Sequence, residues 1–387
     1  MIELLFLLLP LAAAYGYYVG RSSVKNKRAD SKSHQNHNYI RGVEYLLNND
    51  RDLAVDRFIA YLNEADPSFE TNLALGNLFR KRGEVDKAIS LHQAAAANQK
   101  LDISEHELAK LELGRDFMSA GLIDRAEEIL TELVQIPRQR TDGARLLVKL
   151  YEQERDYPQA IATALKYRES LGSSISSQLS QYYCEVAQQD LLSGNAAKAR
   201  AGFTQALDVF PHSIRARLGL ADILLNNGQY EEAYKLIKEV SALNADSGLI
   251  CLDYLLRCFP NKADPNLRFA LDDLVRRTKS AQAMVELTEV VEQTSGRDDA
   301  ELMLLNFVKE KPNLKLFSAL MRLRSKDSGA AANEAILQLK SLVDAQIASN
   351  HRYACHRCGF QSKLLFWQCP SCRRWDTMKP IRGLDGD

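Results

Sequence analysis

Four cysteines near the end of the sequence have the spacing of a metal site. Cys355 and Cys358 form one CxxC pair, and Cys369 and Cys372 form another ten residues further on. Each CxxC turn directs two thiolates at one point, so two turns supply four ligands for a tetrahedral Zn²⁺ or iron ion. Four protein ligands leave no open position on the metal. The sequence therefore predicts one structural iron or zinc ion held by Cys355, Cys358, Cys369 and Cys372.

Residues 349–387 around these cysteines are predicted to form a small metal-binding domain. So short a segment cannot bury enough apolar surface to fold unaided, and a bound metal ion would supply the missing free energy. Its aromatic side chains are expected to pack around the sulfurs: Phe360, Phe366, Trp367 and Trp375. Redox-active disulfides are the alternative, but they are typical of a single CxxC beside a βαβ unit.

Basic residues are locally enriched in this domain. Residues 351–387 hold seven Lys or Arg and three Asp. Basic and aromatic residues beside a zinc ribbon can bind nucleic acid, but docking onto a protein or onto the chain's own helices explains them equally well. Over the whole chain 50 Lys and Arg balance 50 Asp and Glu, so no global field favours a nucleic-acid partner, and none is expected.

The rest of the composition is that of a soluble globular chain. With 46% hydrophobic and 26% charged residues in 387, wholesale disorder and a polytopic membrane protein are excluded. The sequence contains no phosphate-binding glycine loop, no HExxH and no nucleophile elbow. The remaining cysteines are predicted to be core thiols: Cys184, Cys251 and Cys258. Three histidines are isolated in the sequence: His92, His106 and His212. We therefore predict no catalytic residues, no organic cofactor and no enzyme.

An internal period identifies the elements that lead up to the cysteines. Between residues 38 and 348 apolar residues recur at three- and four-residue steps, which predicts helices. Small alanines recur at intervals of 34 to 39 residues: Ala54, Ala88, Ala126, Ala160, Ala199 and Ala233. Five residues before each stands a residue that suits a left-handed turn, apart from Arg155: Asn49, Gly83, Gly121, Arg155, Gly194 and Gly228. A period of 34 built from helix, turn and helix is typical of tetratricopeptide repeats.

The predicted fold is therefore an all-α tetratricopeptide superhelix over residues 38–348, with about eight or nine repeats. Ala300 and Ala335 are expected to anchor two degenerate late repeats, whereas residues 250–280 fit the period poorly. Repeats of this kind stack into a superhelix whose groove binds peptides or helices. The expected partner is therefore a protein, and the sequence leaves open whether the array forms a homodimer.

The start of the chain is predicted to be a transmembrane helix. Residues 4–20 carry no charge and are long enough for a short bilayer span. Basic residues follow this segment in the polar linker 21–37, whereas Glu3 precedes it. A cleaved signal peptide is the alternative, but it would carry its positive charge before the apolar run. The positive-inside rule then places everything after the anchor at residues 1–20 on the cytoplasmic side.

An anchor, a tetratricopeptide array and a four-cysteine end, in this order, resemble the lipopolysaccharide assembly protein B family of Gram-negative bacteria. Four stretches carry the resemblance: ELLFLLLPLAAAYGYYVGR at the start, LGNLFRKRGEVDKAI at 75–89, LGRDFMSAGLIDRAE at 113–127, and WQCPSCRRW with KPIRGLDG. The repeats alone would be unspecific, whereas the anchor and the end are specific to this family. Residues 250–350 resemble the family least.

The resemblance implies a location, partners and a function. It implies a single-pass inner-membrane protein with a rubredoxin-like domain, whose metal ligands are Cys355, Cys358, Cys369 and Cys372. The implied partners are a membrane ATP-dependent zinc protease, the UDP-3-O-acyl-N-acetylglucosamine deacetylase that commits precursors to lipid A, and an inner-membrane lipopolysaccharide sensor. The implied function is a non-catalytic adaptor that restrains lipopolysaccharide synthesis by promoting degradation of the deacetylase.

Two other functions remain open at the level of the sequence. The chain could be a scaffold that gathers lipopolysaccharide-synthesis enzymes at the inner membrane without directing proteolysis. It could also be a rubredoxin-type electron carrier, since rubredoxins hold iron on four thiolates. The sequence does not decide between iron and zinc, nor does it identify the groove residues that bind each partner.

Overall fold

The structure, a computed structural model, describes residues 38–64, 68–262, 264–325 and 330–387. The predicted anchor at residues 1–20 and the whole linker at 21–37 lie outside these ranges. Within them, no helix combines the length and the apolar character that a bilayer crossing requires.

Helices joined by short turns fill most of the described chain. They are α1 (38–47), α2 (Arg51–Glu64), α3 (Phe69–Arg82), α4 (Val85–Ala97), α5 (Ile103–Ala120), α6 (Ile123–Leu133), α7 (Arg140–Glu154), α8 (Tyr157–Lys166), α9 (Arg168–Leu171), α10 (Ser176–Leu192), α11 (Ala196–Val209), α12 (Ile214–Asn226), α13 (Tyr230–Leu243), α14 (Gly248–Cys258), α15 (Pro265–Thr278), α16 (Ala281–Thr294), α17 (Arg297–Glu310), α18 (Leu314–Ser325) and α19 (Ala330–Ser349). Consecutive helices pack together, for example α3 with α4, α5 with α6 and α12 with α13. This is the helix-turn-helix arrangement that the period predicts.

The alanines that define the period occupy one position of each second helix. Each of the six is the fourth residue of its helix and is fully buried: Ala54, Ala88, Ala126, Ala160, Ala199 and Ala233. A methyl side chain at this point lets the second helix lie close against a neighbour, so the predicted anchor role of these alanines is confirmed.

The turn before each of these helices has a common backbone conformation. The six residues five positions before the anchors have φ between 60° and 86°: Asn49, Gly83, Gly121, Arg155, Gly194 and Gly228. In α3 and α5, the N–H groups of Gly83 and Gly121 cap the last turn by donating to carbonyls of that turn. Arg155 departs from the pattern in residue type alone, because its φ of 60° keeps the left-handed geometry.

The chain forms two compact units. Of the described residues, those up to Asp156 together with Glu169–Leu171 form unit 1, and Tyr157–Arg168 together with those from Gly172 to Asp387 form unit 2. A core cluster of unit 1 joins α2, α3 and α4: Ala54, Val55, Phe58, Leu75, Phe79 and Ala88. In unit 2 one buried cluster runs from α12 to α18, and a smaller one joins α10, α11 and α12. Each unit therefore has a core of its own.

The later helices depart from the regular period. Ala300 is fully buried at the fourth position of α17, as predicted. Ala335 is exposed, so the prediction that it anchors a repeat is wrong. Ile336 and Val343, on another face of α19, are partly buried instead. In α15 the fourth residue is Arg268, and the fully buried Leu267 takes over the contact with the core. The shift by one residue explains why the period is hard to read between residues 250 and 280.

A small antiparallel sheet follows α19. It contains β1 (Tyr353–Cys355), β2 (Gln361–Ser362) and β3 (Met378–Pro380) in the order β2-β1-β3. Tyr353 pairs with Ser362 on one side and with Pro380 on the other. Strands this short need a further source of stability. We call residues 353–387 the metal module.

Candidate metal centre

Two tight turns position the four cysteines. In the first, the Gly359 N–H donates to the Cys355 carbonyl at 2.9 Å, and glycine adopts the φ of 78° there without strain. In the second, the Arg373 N–H donates to the Cys369 carbonyl at 2.8 Å, with a φ of 52°. Both turns thus have the same hydrogen bond, and in both the residue after the second cysteine has a left-handed backbone conformation.

The sulfur atoms are spaced for a single ion. Cys355 Sγ lies 3.7 Å from Cys372 Sγ, and Cys358 Sγ lies 3.7 Å from Cys369 Sγ. All four sulfurs lie within 4.8 Å of one another, and all four cysteines are free of disulfide bonds. Metal–sulfur bonds of about 2.3 Å in a tetrahedron place sulfurs about 3.8 Å apart. The four cysteines can therefore hold one metal ion, which confirms the prediction of a one-metal site.

The four thiols differ in their surroundings. Burial raises the pKa of the Cys369 thiol to about 11. Burial acts in the same direction on Cys355, but the Thr377 hydroxyl, 3.3 Å from its Sγ, and amides of the turn lower the pKa of this thiol to about 6. Because the thiolate is the metal ligand, the turn around Cys355 already favours the ligand form. Cys358 is exposed, so one edge of the site faces solvent.

The buried edge of the site rests on a helix of unit 2. Leu249 of α14 packs in one buried cluster with Tyr353, Cys355, Cys369 and Met378. This contact buries apolar surface that a module of this size could not bury alone. The metal centre and α14 therefore stabilise each other.

The aromatic residues only partly follow the sequence prediction. Phe360 packs beside the sulfurs as expected. Trp367 instead packs against the helical core of unit 2, and Phe366 is exposed. The prediction that all four aromatic side chains surround the sulfurs is therefore confirmed for Phe360 and wrong for Trp367 and Phe366. Trp375 contacts Tyr182 of α10.

One arginine of α12 joins both tryptophans of the chain to the helices. The Arg215 guanidinium lies 5.9 Å from the ring centroids of both Trp367 and Trp375. Within about 6 Å a guanidinium is attracted to the face of such a ring. Its Nη1 also donates to the carboxylate of Glu185 at 2.9 Å, which fixes the guanidinium in place. Tyr182 of α10 meets Trp375 edge to face, with ring centroids 6.2 Å apart.

Polar contacts extend the same interface. The Gln181 side-chain amide donates to both carboxylate oxygens of Asp376, at 3.0 and 2.9 Å. Asp246 forms ion pairs with Lys379 and Arg382, each at 3.3 Å. Partial burial opposes ionisation of Asp246, but these two cations hold the pKa of its carboxyl below the usual value.

Five alternate helices of unit 2 contact the module, in addition to α19, whose Ala348 carbonyl accepts from Lys363 Nζ at 2.7 Å. The five alternate helices are α10, α12, α14, α16 and α18, represented by Gln181, Arg215, Leu249, Gln282 and Leu314. Each is the first helix of its pair, so the module lies on the face that these first helices share. The sequence left docking onto the chain's own repeats open, and the structure places the module there.

Of the isolated histidines, His92 of unit 1 is part of a buried polar cluster. Its Nδ1 lies 2.5 Å from the Asp116 carboxylate, and its Nε2 lies 3.2 Å from the Leu73 carbonyl. The other oxygen of Asp116 accepts from Arg80 at 2.7 Å. Gly76 makes room for the ring, since a Cβ there would lie 2.3 Å from Nε2. Both ring nitrogens are satisfied, and the cluster has the character of a packed structural network.

The three remaining cysteines are core thiols, as predicted. Cys184, Cys251 and Cys258 are buried. Burial raises the pKa of Cys184 and Cys251 to about 12 and that of Cys258 to about 11, so these thiols stay protonated at neutral pH. Sequence reasoning missed Gln181, Arg215 and Asp246, because a docking contact leaves no periodic signal in the helix that provides it.

The fold and the four-thiolate site define a tetratricopeptide repeat protein with a rubredoxin-type metal module. The family description "Rubredoxin metal binding domain" matches residues 353–380, and "Tetratricopeptide repeat" matches residues 73–104 and 190–250.

Curated relatives identify the family within this class of proteins. Lipopolysaccharide assembly protein B of Escherichia coli is 34% identical over 100% of both chains, and that of Haemophilus influenzae is 35% identical over 98% of both. Among solved structures, the C-terminal part of a TPR repeat-containing protein from Cytophaga hutchinsonii is similar, with 14% identity, 64% and 99% coverage and a TM-score of 0.42. The chain belongs to the lipopolysaccharide assembly protein B family.

Proposed function

We propose that this protein is a non-catalytic adaptor that restrains lipopolysaccharide synthesis. In this role it promotes degradation of the UDP-3-O-acyl-N-acetylglucosamine deacetylase by a membrane ATP-dependent zinc protease, and an inner-membrane lipopolysaccharide sensor opposes it. The observation that carries the proposal is the full-length similarity to proteins named for lipopolysaccharide assembly, at 34% identity over the whole of both chains. The protease, the deacetylase and the sensor are partners that the proposal adds to that name.

The architecture supports a binding role. Stacked helical repeats bind segments of other proteins along a shared face. The polar clusters described above serve packing and metal binding: the His92–Asp116 pair is buried, and four thiolates leave a bound metal no open position. The protein would therefore bring a substrate to a protease that supplies the chemistry.

The proposal includes a single membrane span over residues 4–20, with the repeats and the metal module on the cytoplasmic side. The uncharged segment and the basic residues that follow it support this orientation. A tether of this kind confines the adaptor and its membrane-bound partners to one surface, which raises their effective concentration.

The test is the half-life of the deacetylase in the native host. Depletion of this protein should lengthen the half-life, and re-expression of the full chain should restore it. A chain that lacks residues 1–20 serves as the matched variant: it should keep its helical circular dichroism and its metal content but fail to restore rapid turnover. An unchanged half-life on depletion would contradict the adaptor and favour the scaffold, whose partners would then be sought by co-purification.

A rubredoxin-type electron carrier is the second candidate. The exposed Cys358 edge favours it, because electrons would have to enter through the part of the site that faces solvent. This function requires bound iron that is reversibly oxidised and reduced. A zinc-loaded protein that still restores deacetylase turnover would eliminate it.

A further inference from the structure

The last residues of the metal module are held by side chains of the repeats. We call residues 381–387 the clasp. Asn313, just before α18, donates through its side-chain amide to the carbonyls of Gly383 and Gly386, at 2.9 and 3.2 Å. One side chain thus binds two backbone carbonyls of the clasp.

The side chain of Asp387 lies in a polar receptor. Its Oδ1 accepts from the Ser280 hydroxyl at 2.9 Å and from the Gln282 N–H, in the first turn of α16, at 3.0 Å. Lys315 Nζ lies 3.6 Å from the same oxygen. Asp387 is only 2% exposed, and its Oδ2 has no hydrogen-bond partner among the described residues. A hydroxyl, a helix N-terminus and an ammonium group therefore converge on one carboxylate.

These contacts combine two elements of peptide recognition. The Asn313 amide binds backbone carbonyls, which every peptide has. The receptor formed by Ser280, Gln282 and Lys315 binds an acidic side chain. Arg382 adds an ion pair with Asp246, at 3.3 Å, and its Nη1 lies 3.9 Å from Asp387 Oδ2, whereas Leu384 and Asp385 are exposed. The surface could therefore accept another segment that has an acidic residue at the same place.

A cavity of about 360 Å³ continues from the receptor. Gln282, Lys315 and Asp387 form part of its wall, and Leu252 and Leu256 of α14 add apolar surface. Cavities that hold organic ligands begin at about this size. The first-helix face of unit 2 thus offers more binding space beside the carboxylate receptor than the clasp uses.

We propose that Ser280, Gln282, Asn313 and Lys315 form a binding site for an acidic peptide segment of a partner protein, which the clasp fills in the chain by itself. A partner segment with an Asp or Glu side chain in the receptor displaces the clasp and extends into the adjoining cavity. The inference rests on the proposed adaptor function in one respect, namely that the repeats bind a protein.

Competition by the clasp determines how the site responds to a peptide. A segment tethered by a short linker acts at an effective concentration in the millimolar range. An added peptide therefore binds the wild-type chain weakly, and it binds more tightly once the clasp has lost its carboxylate. This difference separates an exchangeable site from a permanent structural contact.

The experiment uses the full chain and a fluorescein-labelled peptide with the sequence of residues 376–387, acetylated and amidated at its ends. Fluorescence anisotropy should give at least tenfold tighter binding to the Asp387→Asn chain than to the wild type. Adding Lys315→Ala to the Asp387→Asn chain should abolish the gain, and so should a peptide that carries Asp387→Asn. Leu384→Ala is the matched control, because this exposed residue uses only its backbone and should leave binding unchanged.

Two results would overturn the inference: equal affinities for the wild-type and Asp387→Asn chains, or a gain that survives Lys315→Ala. If circular dichroism shows that Asp387→Asn unfolds, hydrogen exchange of residues 381–387 in the wild-type chain takes its place. Exchange should then accelerate with millimolar peptide, and unchanged exchange would count against displacement. Because these readouts do not involve the deacetylase, their failure is distinguishable from failure of the proposed function.

Discussion

At the scale of single residues, the metal centre depends on four sulfurs that come from two matching turns. Cys355 and Cys372 face each other across the site, as do Cys358 and Cys369. Loss of any one thiol leaves three ligands, only one of which then comes from the affected turn. The sheet around them is too small to hold that geometry without the ion.

Replacement Cys355→Ser should therefore remove the metal ion and unfold the module. A hydroxyl is a poor substitute for a buried thiolate ligand, so bound metal should fall from one ion per chain to near zero. Elemental analysis of the purified protein measures this. Cys258→Ser is the matched control, because it removes a buried thiol of α14 and keeps all four ligands. Full metal content in Cys355→Ser would show that Cys355 is not a ligand.

The metal ligands could be predicted from the sequence, whereas the helix residues that hold the metal module could not. The ligands are predictable because each pair is three residues apart and a local turn brings its thiols together. Arg215 and Gln181 could not be predicted, because they hold the module through contacts with Trp375 and Asp376, which are distant along the chain. Nothing in the sequence of α10 or α12 marks these positions.

At the scale of elements, the left-handed turns before the second helices define the repeats. Five of the six turns have Gly or Asn, whereas Arg155 adopts the same conformation with steric strain at its Cβ. The helix period and these turns could be predicted from the sequence because the same local pattern of residues recurs in each repeat. The position of α15 and the exposure of Ala335 could not, because there the packing depends on helices that lie outside the repeat in question.

Replacement Arg155→Gly should stabilise unit 1. Glycine adopts a φ of 60° without the Cβ clash that an L side chain suffers, so the free energy of unfolding should rise by about 0.5–1 kcal/mol. The midpoint of urea denaturation measures the change. The reverse replacement, Gly121→Ala at a φ of 73°, should lower the midpoint by a similar amount. A destabilised Arg155→Gly chain would mean that the arginine side chain contributes more than its backbone costs.

At the scale of the whole molecule, the metal module connects helices of unit 2 that are as far apart in the array as α10 and α18. In a repeat array stability is passed between adjacent repeats. The module adds contacts from α10 to α18 in one step, through Gln181, Arg215, Leu249, Gln282 and Leu314. Unit 2 should therefore be more cooperative than an array of the same length without a module.

Removal of the metal should consequently loosen unit 2 and spare unit 1. Hydrogen exchange measured by mass spectrometry, before and after chelation, compares the two units in one sample. Exchange should accelerate in α10, α12 and α18, whereas α5 and α6 of unit 1 should keep their protection. Acceleration confined to residues 353–387 would indicate that the helices do not depend on the module.

The docking of the module also has a consequence for synthesis of the chain. Gln181 and Asp376 are separated by 195 residues, so ribosomes that add about 5–20 residues per second make the acceptor at least about 10 s after the donor. During that interval the face of α10, α12 and α14 emerges with Tyr182 and Leu249 uncovered. The nascent chain therefore passes through a period in which this face is open to chaperones, and docking of the module ends that period.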